Sequence, residues 1–211
     1  MSEFGKIEIT ETPDVFTIAI GGLDGATHAG LARVFRRAHE SDSKVVVVTG
    51  QNDTFLAPEQ YEFDWVKKLG IYDDMLKIFK EAEDIIRDAI GCEKPTIAKV
   101  YAPGAHSLGA SIALSCDFVY ASSDATFSDP HLSGFGVPPG DGGALLWPAR
   151  IGLSRAREFL MLDRVATAEE AYDIGLINKV CAPDQLDAEV DALVQKLLSY
   201  DQLGLKMTKK W

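Results

Sequence analysis

KPTIAKVYAPGAHSLGASIALSCDFVYAS (Lys94–Ser122) is the stretch that decides the architecture. Thr96–Tyr101 reads as a buried strand, a loop follows, and about Ser107–Ser115 reads as a helix. Phe118–Ala121 then reads as another short strand. Upstream, Val45–Thr49 is a continuous β-branched run, the pattern of a strand covered on both faces. Three such strands alternating with helices predict a right-handed β/α arrangement, and so an α/β fold.

Outward from this centre the remaining elements follow from periodicity. Lys6–Thr10 and Val15–Ile20 alternate as two strands around a Thr12-Pro13-Asp14 turn. Thr27 is placed to cap a helix from about His28 to Ser41, with Leu31, Val34, Phe35 and Ala38 as its apolar stripe. Tyr72–Ile90 is predicted amphipathic, with Leu76, Phe79, Ala82, Ile86 and Ala89 on one side. Ala125–Phe127 reads as a short strand. Helices are expected near Gly142–Leu146, Ser154–Leu162, Thr167–Ile174 and Gln185–Leu198.

Composition bounds the function. The 211 residues suit one domain, 1–211, with 46% hydrophobic and 25% charged residues. The net charge is −11, so nucleic acid and anionic membranes are poor partners. No apolar run approaches the ~18 residues of a membrane span. The opening MSEFGKIEIT lacks a basic start and an apolar stretch, so no secretory leader is expected. Cys92, Cys116 and Cys181 form no CxxC pair and read as reduced thiols of a cytoplasmic protein.

Four segments in order resemble the crotonase (enoyl-CoA hydratase/isomerase) superfamily. VVVVTGQNDTFLAPEQY (Val45–Tyr61) is similar to a strand, a Thr-Gly turn and "FxAGxD". Lys94–Ser122 is similar to "KPVIAAVNGPAxGGGxxLALACDxxxA". ATFSDPHLSGFGVPPGDGGALLWPARIG (Ala125–Gly152) is similar to "AxFxxPExxxGxxPxxGGxxxLxxxxG", and AEEAYDIGLINKVCAPDQL (Ala168–Leu186) to "AxEAxxxGLVxxVxxxxxL". The resemblance implies a ClpP-like β/α spiral of ββα units over about 1–165 and a helical C-terminal region over about 166–211. It implies a homotrimer or dimer of trimers acting on a small-molecule substrate, with no cofactor. Family members usually continue past a segment like that of Lys206 into further helices, which makes the C-terminal part of this chain look truncated.

The family stabilises an oxyanion with two backbone N–H groups. By resemblance they fall here near Glu59 and near Leu108 and Gly109. The two glutamates of a hydratase correspond to Ser111 and His131. Instead the pattern resembles the 6-oxocamphor hydrolase type of β-diketone hydrolase. It shares a His opening the first helix (His28 through Phe35), a Pro130-His131 to Gly140-Asp141-Gly142 segment, and Trp147-Pro148.

Cleaving a β-diketone by water needs a base, an enolate holder and a proton source. His131 is expected as general base on water and Asp141 as its orienting partner. His28, and secondarily His106, are expected as donors to a substrate oxygen. Zinc held by His28, His131 and Asp141 lacks HxxxH or CxxC spacing, and no metal is expected. Nor does any Lys or Arg occur from Ile7 to Ala32, which weighs against coenzyme A phosphates there, although Lys206, Lys209 and Lys210 remain. The leading expectation is therefore hydrolytic C–C cleavage of a β-diketone. The alternatives are a hydratase/isomerase acting on an acyl-CoA thioester and a non-catalytic binding subunit.

Overall fold

The computed structural model describes residues 3–56, 58–62 and 72–210. Its main sheet has six strands: β1 (Ile7–Glu11), β2 (Val15–Ile20), β3 (Val45–Gly50), β4 (Thr96–Val100), β6 (Phe118–Ser122) and β9 (Lys179–Cys181). They lie in the order β1-β2-β3-β4-β6-β9, with β1/β2 antiparallel and every other pair parallel. A second sheet of three strands joins β5 (Gly104–His106), β7 (Thr126–Ser128) and β8 (Ala166–Thr167).

The β-branched run explains why β3 is central. Val46 and Val48 enter a core with Phe16, Ile18, Leu31, Phe35, Ala98 and Val100. Val45 and Val47 point to the other face, against Ile97, Leu186, Val190 and Val194. The first face is covered by α1 (Gly25–Glu40) and α2 (Tyr72–Ile90), the second by α8 (Leu186–Leu198). Burying a strand on both faces removes the period-two polarity that a half-exposed strand shows.

Between β5 and β6 runs α3 (Leu108–Ser115), whose eight residues are all buried. After β7 come α4 (His131–Phe135), α5 (Gly143–Ile151) and α6 (Leu153–Leu162); α7 (Ala168–Asp173) and α9 (Gln202–Lys210) complete the helices named here. Nothing in α2, or in any other described helix, is long and apolar enough to cross a membrane. Cys92, Cys116 and Cys181 are free and buried.

Three expectations are corrected. The N-cap of α1 is Asp24, not Thr27, so the helix opens at Gly25 instead of His28. Asp24 Oδ1 accepts the Thr27 N–H at 2.8 Å, the bond a capping carboxylate makes to the third helical residue. Thr27 Oγ1 is used instead to accept from the Lys6 N–H at 2.9 Å. The apolar side of α2 is also shorter than its sequence suggests. Ala82, Ile86 and Ala89 are buried together with Ile85, but Leu76 and Phe79 are 47% and 60% exposed. Finally, α5 runs on to Ile151 with Pro148 inside it, beyond the Leu146 end read from the sequence. Pro148 lies past the first turn, where its missing N–H breaks one helical bond without ending the helix.

Candidate active site

The site is built where the ends of β5, β7 and α3 meet the loops before α4 and α5. β5 and β7 pair in parallel, with His106 opposite Ser128. That register puts Ser107 at the N-terminus of α3 and Asp129 and His131 just past the end of β7. The Ser107 N–H donates to Ser128 O at 3.1 Å, which ties the two ends together.

His131 is gripped from both sides. Its Nδ1 bonds Asp129 Oδ1, and its Nε2 lies 3.3 Å from Asp141 Oδ2. Asp141 Oδ1 in turn accepts from the Ser111 hydroxyl at 3.3 Å. The His131 and Asp141 side chains are each only 13% exposed, and the Asp129 side chain is fully buried. Asp141 does not cap α5: that position belongs to Gly142 at φ +113°, a conformation that favours glycine. Gly143 matters for a different reason. A Cβ there would come within 1.9 Å of Asp129 Oδ2, so only glycine leaves room for the carboxylate at the start of α5.

These contacts set the charge state. Burial alone would lower the His131 pKa, but the hydrogen bonds and charges of Asp129 and Asp141 outweigh it and raise it to about 10. The ring is therefore an imidazolium at neutral pH, with both N–H groups spent on carboxylates. Both ring nitrogens face carboxylates, so action as a general base on water would require His131 to lose a proton and leave one of these contacts. Asp129 was not singled out by sequence reasoning. Burial pushes its carboxyl up, against the pull of His131. Its Oδ2 has no hydrogen-bond partner among the described residues.

Asp129, His131 and Asp141 offer ligand atoms within 4.8 Å of one another, the one cluster among the described residues that has a metal site's composition. His131 presents opposite ring edges to the two carboxylates, and a ligand nitrogen must lose its proton.

Tyr61 is the second residue that the sequence did not mark. Its backbone is fixed against Leu23 through Leu23 N–H to Gln60 O at 2.9 Å and Glu62 N–H to Leu23 O at 2.8 Å. The hydroxyl donates to His106 O at 2.6 Å and accepts the Gly109 N–H at 3.1 Å. Gly109, expected as an oxyanion donor, thus has a phenol as its partner. Leu108 begins α3 beside it and is buried. Glu59 lies on a single 3-10 turn, Pro58–Gln60, with its side chain exposed. Ala57 of the same segment lies outside the described residues.

A cavity of about 360 Å³ is lined by Tyr61, His106, Ser107, Ser128, Pro130, Gly134 and Phe135. Phe135 stacks on His131 with ring centroids 5.9 Å apart. His106 lines this cavity. Its Nδ1 bonds Ser128 Oγ at 2.8 Å, and burial lowers its pKa, so it stays neutral. His28 is elsewhere: buried on α1, it holds Glu81 Oε2 of α2 at 2.8 Å through Nδ1. A larger groove of about 580 Å³ lies between α2 and the start of α5, and none of Tyr61, Asp129, His131 or Asp141 lines it. The C-terminal lysines are partly committed: Lys209 pairs with Asp117 at 2.8 Å and Lys210 with Glu93 at 3.0 Å.

Comparison with known proteins gives the family. A crotonyl-CoA hydratase of Syntrophomonas wolfei is 40% identical over 119 residues, 56% of this chain and 44% of that protein. A short-chain-enoyl-CoA hydratase of Clostridium acetobutylicum is 33% identical over 182 residues, 81% of this chain and 65% of its own length. The chain thus spans less than two-thirds of either relative. Among solved structures, a β-diketone hydrolase of Anabaena sp. PCC 7120, bound to (S)-3-oxocyclohexyl acetic acid, superposes with a TM-score of 0.89 at 25% identity, covering 98% of this chain and 84% of that one. The enoyl-CoA hydratase/isomerase family model matches residues 20–211, and the chain belongs to that family, the crotonase superfamily.

Proposed function

We propose that the protein is an enzyme that protonates an enolate-type intermediate, and that its substrate is an acyl-CoA thioester handled as in hydratase/isomerase chemistry. The observation that carries the proton step is His131 held between Asp129 and Asp141. Neither His131 nor Asp141 lines the 360 Å³ cavity, but Pro130 and Phe135, on either side of His131 in the chain, do; an imidazolium that opens onto it is a general acid, and the carboxylate facing it is the matching base. For hydration, the 3.3 Å contact between His131 Nε2 and Asp141 opens: Asp141 takes the proton of water as the oxygen adds, and the freed Nε2–H of His131 gives a proton to the neighbouring carbon. Ser111 and His131 stand where the resemblance places two glutamates, so the acid/base pair is Asp141 and His131 instead. The thioester is supported by the names of the two curated relatives.

A second reading, hydrolysis of a β-diketone, is favoured by the Anabaena structure and uses the same two groups. There Asp141 activates water for attack on one carbonyl, the C–C bond breaks, and His131 protonates the released enolate. Exposed Leu145, Leu153, Met161, Leu162 and Val165 support self-assembly, with the trimer that the family resemblance implies checked by light scattering of the eluting protein.

The deciding experiment follows crotonyl-CoA and a cyclic 1,3-diketone side by side with wild type and Asp141→Asn. Loss of crotonyl-CoA that Asp141→Asn abolishes supports the thioester reading. Turnover of the diketone alone moves the assignment to the hydrolase. Turnover of neither overturns both in favour of a binding subunit.

A further inference from the structure

We propose that Tyr61 is a catalytic residue, and that its hydroxyl, backed by the Gly109 amide, is the donor that meets the substrate's developing oxyanion. The inference rests on the anion-stabilising site described above but assigns its donor differently. Gly109 N–H, the group such a site would be expected to offer, points at Tyr61 Oη 3.1 Å away. A substrate oxygen could reach that amide only by displacing the phenol. The phenol itself lines the 360 Å³ cavity together with Ser107, Pro130 and Phe135.

The resting hydroxyl spends its proton on His106 O at 2.6 Å. Rotation about the Cζ–Oη bond re-aims that proton into the cavity without moving the ring. The Gly109 N–H then continues to donate to the oxygen, and a hydrogen bond received strengthens the one given. The N-terminal end of α3 adds its positive dipole end behind the same amide. Burial raises the Tyr61 pKa, and the charges of Asp141 and Asp129 add to this, so the group is a neutral donor at working pH. The backbone bonds to Leu23 hold the ring in place, as a preorganised donor requires.

A stable enolate tests this without turnover. 1,3-Cyclohexanedione, an enolate at neutral pH, is titrated calorimetrically into wild type, Tyr61→Phe and His131→Gln. Tyr61→Phe keeps the ring and removes only the hydroxyl, and its melting curve reports folding. The expected result is a loss of enolate affinity of roughly tenfold or more for folded Tyr61→Phe, the cost of one hydrogen bond to a charged group. On whichever substrate is turned over, kcat falls by roughly 10²-fold or more. Unchanged or tighter binding by Tyr61→Phe overturns the inference and makes the phenol a plug that must leave Gly109. Failure of the wild type to bind the enolate also overturns it. The proposed proton chemistry is judged separately, by the His131→Gln titration and by turnover with Asp141→Asn.

Discussion

Asp129 holds Nδ1 of His131 from two positions earlier in the chain and buries its whole side chain to do so. A carboxylate in that place keeps the ring charged. It also fixes the ring's plane, so that Nε2 faces Asp141 at 3.3 Å.

Activity that depends on imidazolium should therefore survive to high pH. With the His131 pKa raised to about 10, kcat/KM is expected to fall only as pH rises through about 10. Asp129→Asn removes one of the two raising carboxylates and is expected to move that limb toward the ordinary His value of about 6.5. An alkaline limb identical in both proteins would show that the two carboxylates do not hold the proton.

The same shift links stability to pH. A folded-state pKa raised above its unfolded value gives stability that is full below about 6.5 and lost as pH rises through about 10. Urea midpoints of wild type and His131→Gln should therefore differ most at about pH 6 and converge as pH rises toward about 10. Midpoints that diverge as pH rises would reverse the sign and refute the assignment.

His131→Ala leaves Asp129 buried with its charge uncompensated. Breaking a buried ion pair from one side costs about 3–5 kcal/mol, which chemical denaturation measures. Adding Asp129→Asn to that variant is expected to recover part of the loss, because an amide needs no counter-charge.

Gly143→Ala tests the packing that admits Asp129. The new Cβ would stand 1.9 Å from Asp129 Oδ2, too close for either to remain in place. The expected outcome is a downward shift of the alkaline limb together with a lower melting temperature, since the displaced carboxylate can no longer hold His131.

The architecture was legible because its signals are local. The Val45–Thr49 run and the Lys94–Ser122 segment carry strand and helix patterns that packing then confirms on both sheet faces. His131 and Asp141 were legible as a pair through resemblance, and they do meet. Their chemistry was not, because it depends on Asp129. That residue sits in an ordinary Asp-Pro dipeptide, and only a D-x-H spacing hints at it. Tyr61 was invisible for a similar reason: its partner amide is 48 residues away. His28 opens a helix in the sequence, yet the cap at Asp24 turns it inward, onto Glu81. Leu76 and Phe79 follow the helical period of α2 perfectly well, but nothing described packs over that end.

The central claim is that His131 carries two ring protons at neutral pH. Nitrogen-15 spectra of its imidazole, assigned by comparison with His131→Gln and followed from about pH 6 to about pH 10, read this directly. The account predicts two protonated-type nitrogens persisting well past about pH 8 and a midpoint near 10. A ring already neutral at about pH 8, with one nitrogen showing the shift of an unprotonated imidazole, would contradict it.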